Sequence, residues 1–234
     1  MQINFLKLNP DKTELFLIGS KNNAFIKTKS TITVNIDGDN VENIQCMKSL
    51  GVLFDNVLSM ESSVSSKCKC IGLYLKRMSK VRKFLTFNAA HKLLNAFVLS
   101  RLDYCNSLLY GIPGFLLDRL QRVQNWGIRI LFNLSKYDHV TFYYTEVHWL
   151  PVRQRINFKI LLLMYNAVNG FSPAYIQELL CPYQPTRILR SCDKGLFCKP
   201  NVHSSYGERS FSFAAPLLWN NLPDFIKESA NANI

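Results

Sequence analysis

The sequence predicts an α+β chain, predominantly α, in which a small N-terminal antiparallel β unit precedes a helical bundle and a mixed C-terminal segment. Three observations carry this. Up to about residue 55, short apolar runs are punctuated by turn formers; from Met60 the apolar residues recur every three or four positions; and past the Pro-rich "CPYQPT" at 181–186 both patterns become short and mixed. Short runs bounded by turn residues suit strands, and a spacing near 3.6 suits helices. With 234 residues, 48% hydrophobic and 12% aromatic, the chain holds enough apolar material for a buried core.

In order, "NPD" at 9–11 turns the chain into a first strand, "ELFLI" at 14–18. A second strand is expected at 31–36, "TITVNI", after which "DGDN" at 37–40 reverses the chain and "VENI" at 41–44 returns it. "KSLGVLF" at 48–54 reads as a further strand. A few short strands cannot bury their apolar faces alone. Helical periodicity then runs from Met60 to Leu85, where Met60, Val64, Ile71, Tyr74, Leu75, Met78, Val81 and Leu85 form one stripe and Lys69, Lys76, Lys80 and Lys83 fall opposite it. A helix from about Ala89 to Leu109 follows, capped by Thr86 or Asn88 and stopped by Gly111 and Pro113. In 115–134 the inward face is Leu116, Leu120, Val123, Gly127, Ile130, Leu131 and Leu134, with Gly127 allowing close approach of another helix. Residues 149–170 form a helix with Pro151 in its first turn and Gly170 just past its end. Shorter helices are expected from Pro173 to Leu180 and near 212–220. Three segments result: a β-rich unit at 1–58, a helical region at 59–136, and a helical extension at 137–234 with an irregular stretch near 181–210.

Composition excludes several classes. The longest apolar run, "ILLLMY" at 160–165, falls far short of the roughly 20 residues that span a bilayer, so no membrane partner is expected. No basic segment followed by a continuous apolar stretch opens the chain, and the seven cysteines show no paired spacing. Both point to an intracellular protein of the cytoplasm or nucleus, not a secreted one. The net charge of +12 is uneven: residues 1–55 balance at zero, residues 56–139 carry +9 and residues 140–234 carry +3. A localised positive field suits a polyanion.

Catalytic patterns are sparse. Cys68 and Cys70 lie two positions apart on a helix, about 200° around its axis, and Cys192 and Cys198 have no close histidine partner. The four histidines are scattered, so no metal site is expected. There is no G-x-S-x-G, no P-loop and no dinucleotide glycine pattern, and no small-molecule substrate is expected. Asp37 and Asp39 flank Gly38 in what reads as a hairpin turn rather than a carboxylate pair. Binding is what remains. On helix 115–134, Arg119, Arg122, Trp126 and Arg129 line a stripe beside the apolar face; with the lysine row of the preceding helix they make a surface able to track phosphates and stack one base.

The blocks "LNPDKTELFLIG", "LGVLFD", "SRLDYCNSLLYGIP", "LDRLQRVQNWGIRIL", "YDHVT", "HWLPVRQRINFKILLLMYNAVNG", "PAYIQELLCPYQPTR" and "AAPLLWNNLP" together resemble the C-terminal part of reverse transcriptases from jockey-type non-LTR retrotransposons. The resemblance covers nearly the whole chain. It implies that Lys12 occupies the palm-motif position whose lysine helps protonate departing pyrophosphate. It also implies that Leu50, Gly51 and Val52 match the strand that grips the primer end, and that the helices beyond them correspond to the thumb. In that family the fingers and the two aspartate motifs that hold magnesium lie upstream of "LNPDKTE". The expectation is therefore a catalytically incomplete fragment of an RNA-directed DNA polymerase. It would lack the metal-binding aspartates, take no cofactor of its own, be inactive alone and bind nucleic-acid backbone without sequence preference. The competing expectation is a helical protein-interaction module, self-associating through exposed apolar β surface.

Overall fold

A computed structural model describes residue 9 and residues 12–20, 23, 31–36, 38–184 and 195–227. Helices predominate and a small β region precedes them, an α+β architecture. Contacts divide the chain into two compact units, Met1–Cys70 and Ile71–Ile234, with the division inside one long helix.

Among the described residues the first unit holds five strands: β1 (Leu15–Phe16), β2 (Thr33–Ile36), β3 (Asp39–Ile44), β4 (Cys46–Ser49) and β5 (Val52–Asp55). β2 and β3 form the expected hairpin, in register from Thr33 opposite Glu42 to Ile36 opposite Asp39, with Gly38 at φ 96° in its two-residue turn. Asp37 lies outside the described residues. β1 pairs with the other edge of β3 in parallel, Leu15 opposite Asn43, so this sheet is mixed rather than antiparallel. The 16 residues between Phe16 and Thr33 are long enough for the crossover that a parallel pair requires.

The expected strand at 48–54 is instead a hairpin. β4 and β5 pair antiparallel from Cys46 opposite Asp55 to Ser49 opposite Val52, and Leu50 and Gly51 make the turn with φ 46° and 83°. Two positive φ values in a two-residue loop match the twist of the flanking strands. Leucine is poorly suited to that conformation, which hides the turn from a reading by residue type. Past β5, the Asp55 carboxylate accepts from the amides of Ser59 (2.9 Å) and Met60 (3.0 Å), fixing the entry to the long helix.

That helix, α1 (Glu61–Val81), is followed by a 3-10 turn at Arg82–Phe84. In the second unit α2 (Phe87–Leu94) starts at Thr86, whose hydroxyl accepts from the Ala89 amide. The expected single helix to Leu109 is interrupted: a π-turn at Asn95–Leu99 leads to α3 (Ser100–Asp103), Cys105 takes φ 51°, and a 3-10 turn follows at Asn106–Leu109. α4 (Gly114–Phe132) ends on Asn133 in the left-handed region. α5 (Thr141–Glu146) is an addition to the expected elements; its aromatic, β-branched sequence carries no helical stripe, and buried Tyr144 anchors it. α6 (Val152–Val168) follows Pro151, and the chain continues through α7 (Ala174–Gln177), α8 (Ser205–Glu208), α9 (Phe211–Asn220) and α10 (Asp224–Lys227). Of the expected irregular stretch, residues 185–194, Cys192 among them, lie outside the described residues.

The second unit has the core. Ile71, Leu75, Leu94, Leu116, Leu120, Ile128, Leu131 and Met164 are all less than 2% exposed. α6 sits centrally, packing on α4, α9 and the Asn106–Leu109 turn. Gln124 shares this core at 0% exposure by donating to the Leu150 carbonyl at 2.9 Å, which removes the desolvation cost of its amide hydrogen. Around it, Gln121 bonds Asn125 and Tyr144 and accepts from the Val152 amide (2.9 Å), tying the start of α6 to α4. Burial, opposed by the Gln121 hydrogen bond, pushes the Tyr144 hydroxyl well above its usual range. Gly127 differs from expectation. A methyl there would meet Leu75, Leu94 and Trp149 side chains at 3.7–3.9 Å, ordinary contact distance, so no close helix approach depends on this glycine.

Candidate nucleic-acid interface

On α4, residues 119, 122, 126 and 129 fall within an arc of about 80° at 100° per residue, so Arg119, Arg122, Trp126 and Arg129 share one side of the helix. Arg122 is exposed and bonds back to the Asp118 carbonyl at 3.3 Å; Arg119, Trp126 and Arg129 are half-buried. Trp126 lies against α1, where a methyl on Gly72 would meet its ring at 3.8 Å. The tryptophan is thus neither wholly core nor a free stacking surface.

Trp126 and Arg129 open onto a cleft of about 610 Å³, whose other walls are Ser79, Arg82, Ile130, Asn133, Leu134 and Lys136. Among the described residues that line it, three are cationic and none is acidic. Each cation is held differently. The Arg82 guanidinium reaches the end of α4: Nε lies 3.2 Å from both the Ile130 and Leu131 carbonyls, Nη2 bonds Leu131 at 2.8 Å and Nη1 bonds Leu85 at 2.9 Å. It offsets the negative carbonyl end of that helix and pins the turn after α1. Arg129 bonds the Asp138 carbonyl through Nη2 at 3.2 Å, whereas its Nε is buried and has no protein partner. Lys136 stands in the loop after α4, its Nζ 5.7 Å from the Tyr137 ring centroid.

The lysine row is exposed throughout. Lys76 and Lys80 lie about 40° and 80° around α1 from Gly72, on the side away from Ser79, and neither is among the residues lining the cleft. Lys83 departs from the expected row: it falls in the 3-10 turn, beyond the α-helix, and its Nζ sits 4.9 Å over the Phe84 ring. Lys69 is exposed on the part of α1 that belongs to the first unit.

Sequence reasoning missed Arg82, Asn133 and Lys136. Arg82 lies outside the lysine face and its partners at the end of α4 are 48 and 49 residues away, so no local pattern marks it. Asn133 and Lys136 follow the αL end of α4, where periodicity stops carrying information.

In the first unit, Lys12 is exposed on a turn closed by its own amide and the Thr13 hydroxyl, both donating to the Asn9 carbonyl at 3.2 and 2.8 Å. Leu50 stands 87% exposed at the hairpin tip, Gly51 beside it is exposed, and Val52 is buried at 3%. The three residues expected on one strand therefore occupy a turn and the strand start. Among the described residues no three histidine, cysteine or acidic side chains come together in a way that could hold a metal ion. Also among the described residues, no helix is long and apolar enough to cross a membrane. No family model, curated protein or solved structure matches this chain.

Proposed function

We propose that this chain is the palm end, thumb and C-terminal extension of a jockey-type non-LTR reverse transcriptase, and that its helical unit binds nucleic-acid backbone without carrying out polymerisation. Support comes from the order of the sequence blocks and from one structural observation: the cleft at the end of α4, where Arg82, Arg129 and Lys136 come together with Trp126 and, among the described residues lining it, no acidic side chain. A concave site of that charge suits phosphate oxygens. Lys76 and Lys80, exposed on α1, add to the positive field without fixing sequence.

Fluorescence anisotropy with single-stranded RNA and DNA oligonucleotides, titrated across salt, tests this. Affinity should fall steeply as salt rises, and Lys76→Ala with Lys80→Ala, both at exposed positions, should lower the log–log salt slope by about 1 to 2. Salt-independent binding, or none, sinks the reading. Primer extension on an RNA template with magnesium or manganese should yield no product, and detectable synthesis would overturn the non-catalytic half.

A second reading has its own observation. In the first unit Ile18, Val34 and Leu50 are 58%, 41% and 87% exposed, apolar surface that suits a protein partner or a second copy. Size-exclusion chromatography separates the two readings: association through apolar surface persists or strengthens with salt, whereas phosphate binding weakens.

A further inference from the structure

We infer that Cys181 and Cys198 are a redox pair that closes into a reversible disulfide when a hydroperoxide oxidises the chain. The two residues face each other across a short antiparallel ladder. Pro182 and Phe197 are bridge partners, the Cys198 amide donates to the Cys181 carbonyl at 2.7 Å, and the Tyr183 amide donates to Leu196 at 2.9 Å. Directly opposed residues of such a ladder have Cα atoms about 5.5 Å apart, inside the range a disulfide bridges. Both thiols turn to the same side, because each donates to the one Pro182 carbonyl, at 3.8 and 3.7 Å. Both are reduced in this structure.

One half of the pair is held rigidly. The Asn220 side chain clasps Phe197, accepting from its amide at 3.0 Å and donating to its carbonyl at 2.9 Å, and Trp219 donates to the Gly195 carbonyl at 3.0 Å. Cys198 is thereby fixed to the end of α9. Cys181 belongs to the exposed segment after α7. Oxidation would covalently join these two parts of the helical unit and close the 16 residues between the cysteines into a loop.

Exposure divides the roles. Cys181 is exposed and Cys198 is half-buried, its thiol raised by burial and then by the adjacent Cys181. The Cys181 thiolate attacks the outer oxygen of the hydroperoxide, giving a sulfenic acid and releasing alcohol, or water when the oxidant is hydrogen peroxide. The Cys198 sulfur then displaces the hydroxyl from the Cys181 sulfur, which leaves as water. The two sulfurs supply two electrons, the peroxide O–O bond breaks, one S–S bond forms, and both thiol protons end on oxygen. Glutathione or another thiol reverses it. Cys68 and Cys70 make the contrast: two positions apart on one helix, their side chains point apart.

The test is on the full chain, reduced, treated with hydrogen peroxide, digested and mapped by mass spectrometry. The dominant cross-link should join Cys181 to Cys198, with a mass loss of about 2 Da that dithiothreitol restores, and Tm should rise by about 5–10 °C on oxidation. Cys181→Ser, at an exposed position, should leave the reduced Tm unchanged and remove both effects. Cys192→Ser should leave both in place. The proposal fails if Cys192 is the main partner of either residue, or if both thiols stay alkylatable once methionines have become sulfoxides. The readout is sulfur chemistry alone, so it stands or falls separately from nucleic-acid binding.

Discussion

The β unit and the helical unit use apolar residues of similar kinds to different ends. In the first unit the buried apolar residues described are Val52, Met60 and Val64, and no residue of β1 to β4 is buried. In the second, α4 alone buries Leu116, Leu117, Leu120, Ile128, Ile130 and Leu131. A sheet of two or three short strands has one face and little to lay against it, whereas a helix can be enclosed by neighbours on several sides. Patterning marks which face is apolar. Burial depends on whether the chain supplies a second layer.

That contrast can be broken at its strongest point. Leu131→Ala, at a site with 0% exposure, should cost about 2–5 kcal/mol, read by urea denaturation with far-UV circular dichroism. Val34→Ala, at 41% exposure in β2, should change stability by less than about 0.5 kcal/mol, read by peptide-resolved hydrogen exchange. Comparable losses at the two sites would mean the units do not differ in this way.

A smaller effect is expected at the end of α4. Arg82→Ala removes the guanidinium donor from the Ile130, Leu131 and Leu85 carbonyls and should cost about 2 kcal/mol. Arg82→Lys should recover only part, because an ammonium cannot present the planar fork. A full rescue by lysine would reduce the role of Arg82 to simple charge. A smaller effect still, and a gain rather than a loss, is expected at the hairpin tip. Leu50→Asn relieves a left-handed φ of 46° at an exposed site and should slow exchange of the β4–β5 amides, a gain of about 0.5–1 kcal/mol. Faster exchange would show that the exposed leucine is held by contacts the turn depends on.

Much of the helical architecture was legible. Ile71 and Leu75 on α1, and Leu116, Leu120 and Leu131 on α4, read as inward from spacing, and they are buried. Thr86 as a cap and the β2–β3 turn follow from local hydrogen-bond chemistry. The break in "KSLGVLF" was not legible, since leucine rarely takes a positive φ, and Gln124 at the centre of α4 was not, since a polar residue is buried only when a distant carbonyl is ready to receive it. Of the expected binding residues, Trp126 and Arg129 open onto the cleft, whereas Lys76 and Lys80 are exposed on α1 outside its lining.

Taken alone, the sequence determined the long helices, much of their apolar faces and that positive charge gathers in the middle third, because each depends on residues within a few positions of one another; the short helix α5 did not show in it. The tertiary structure alone decided that Arg82, Trp126, Arg129 and Lys136 line one cleft and that Cys181 meets Cys198 across a ladder. Those meetings join residues far apart in the chain, and their geometry is set by packing rather than by any local preference for conformation.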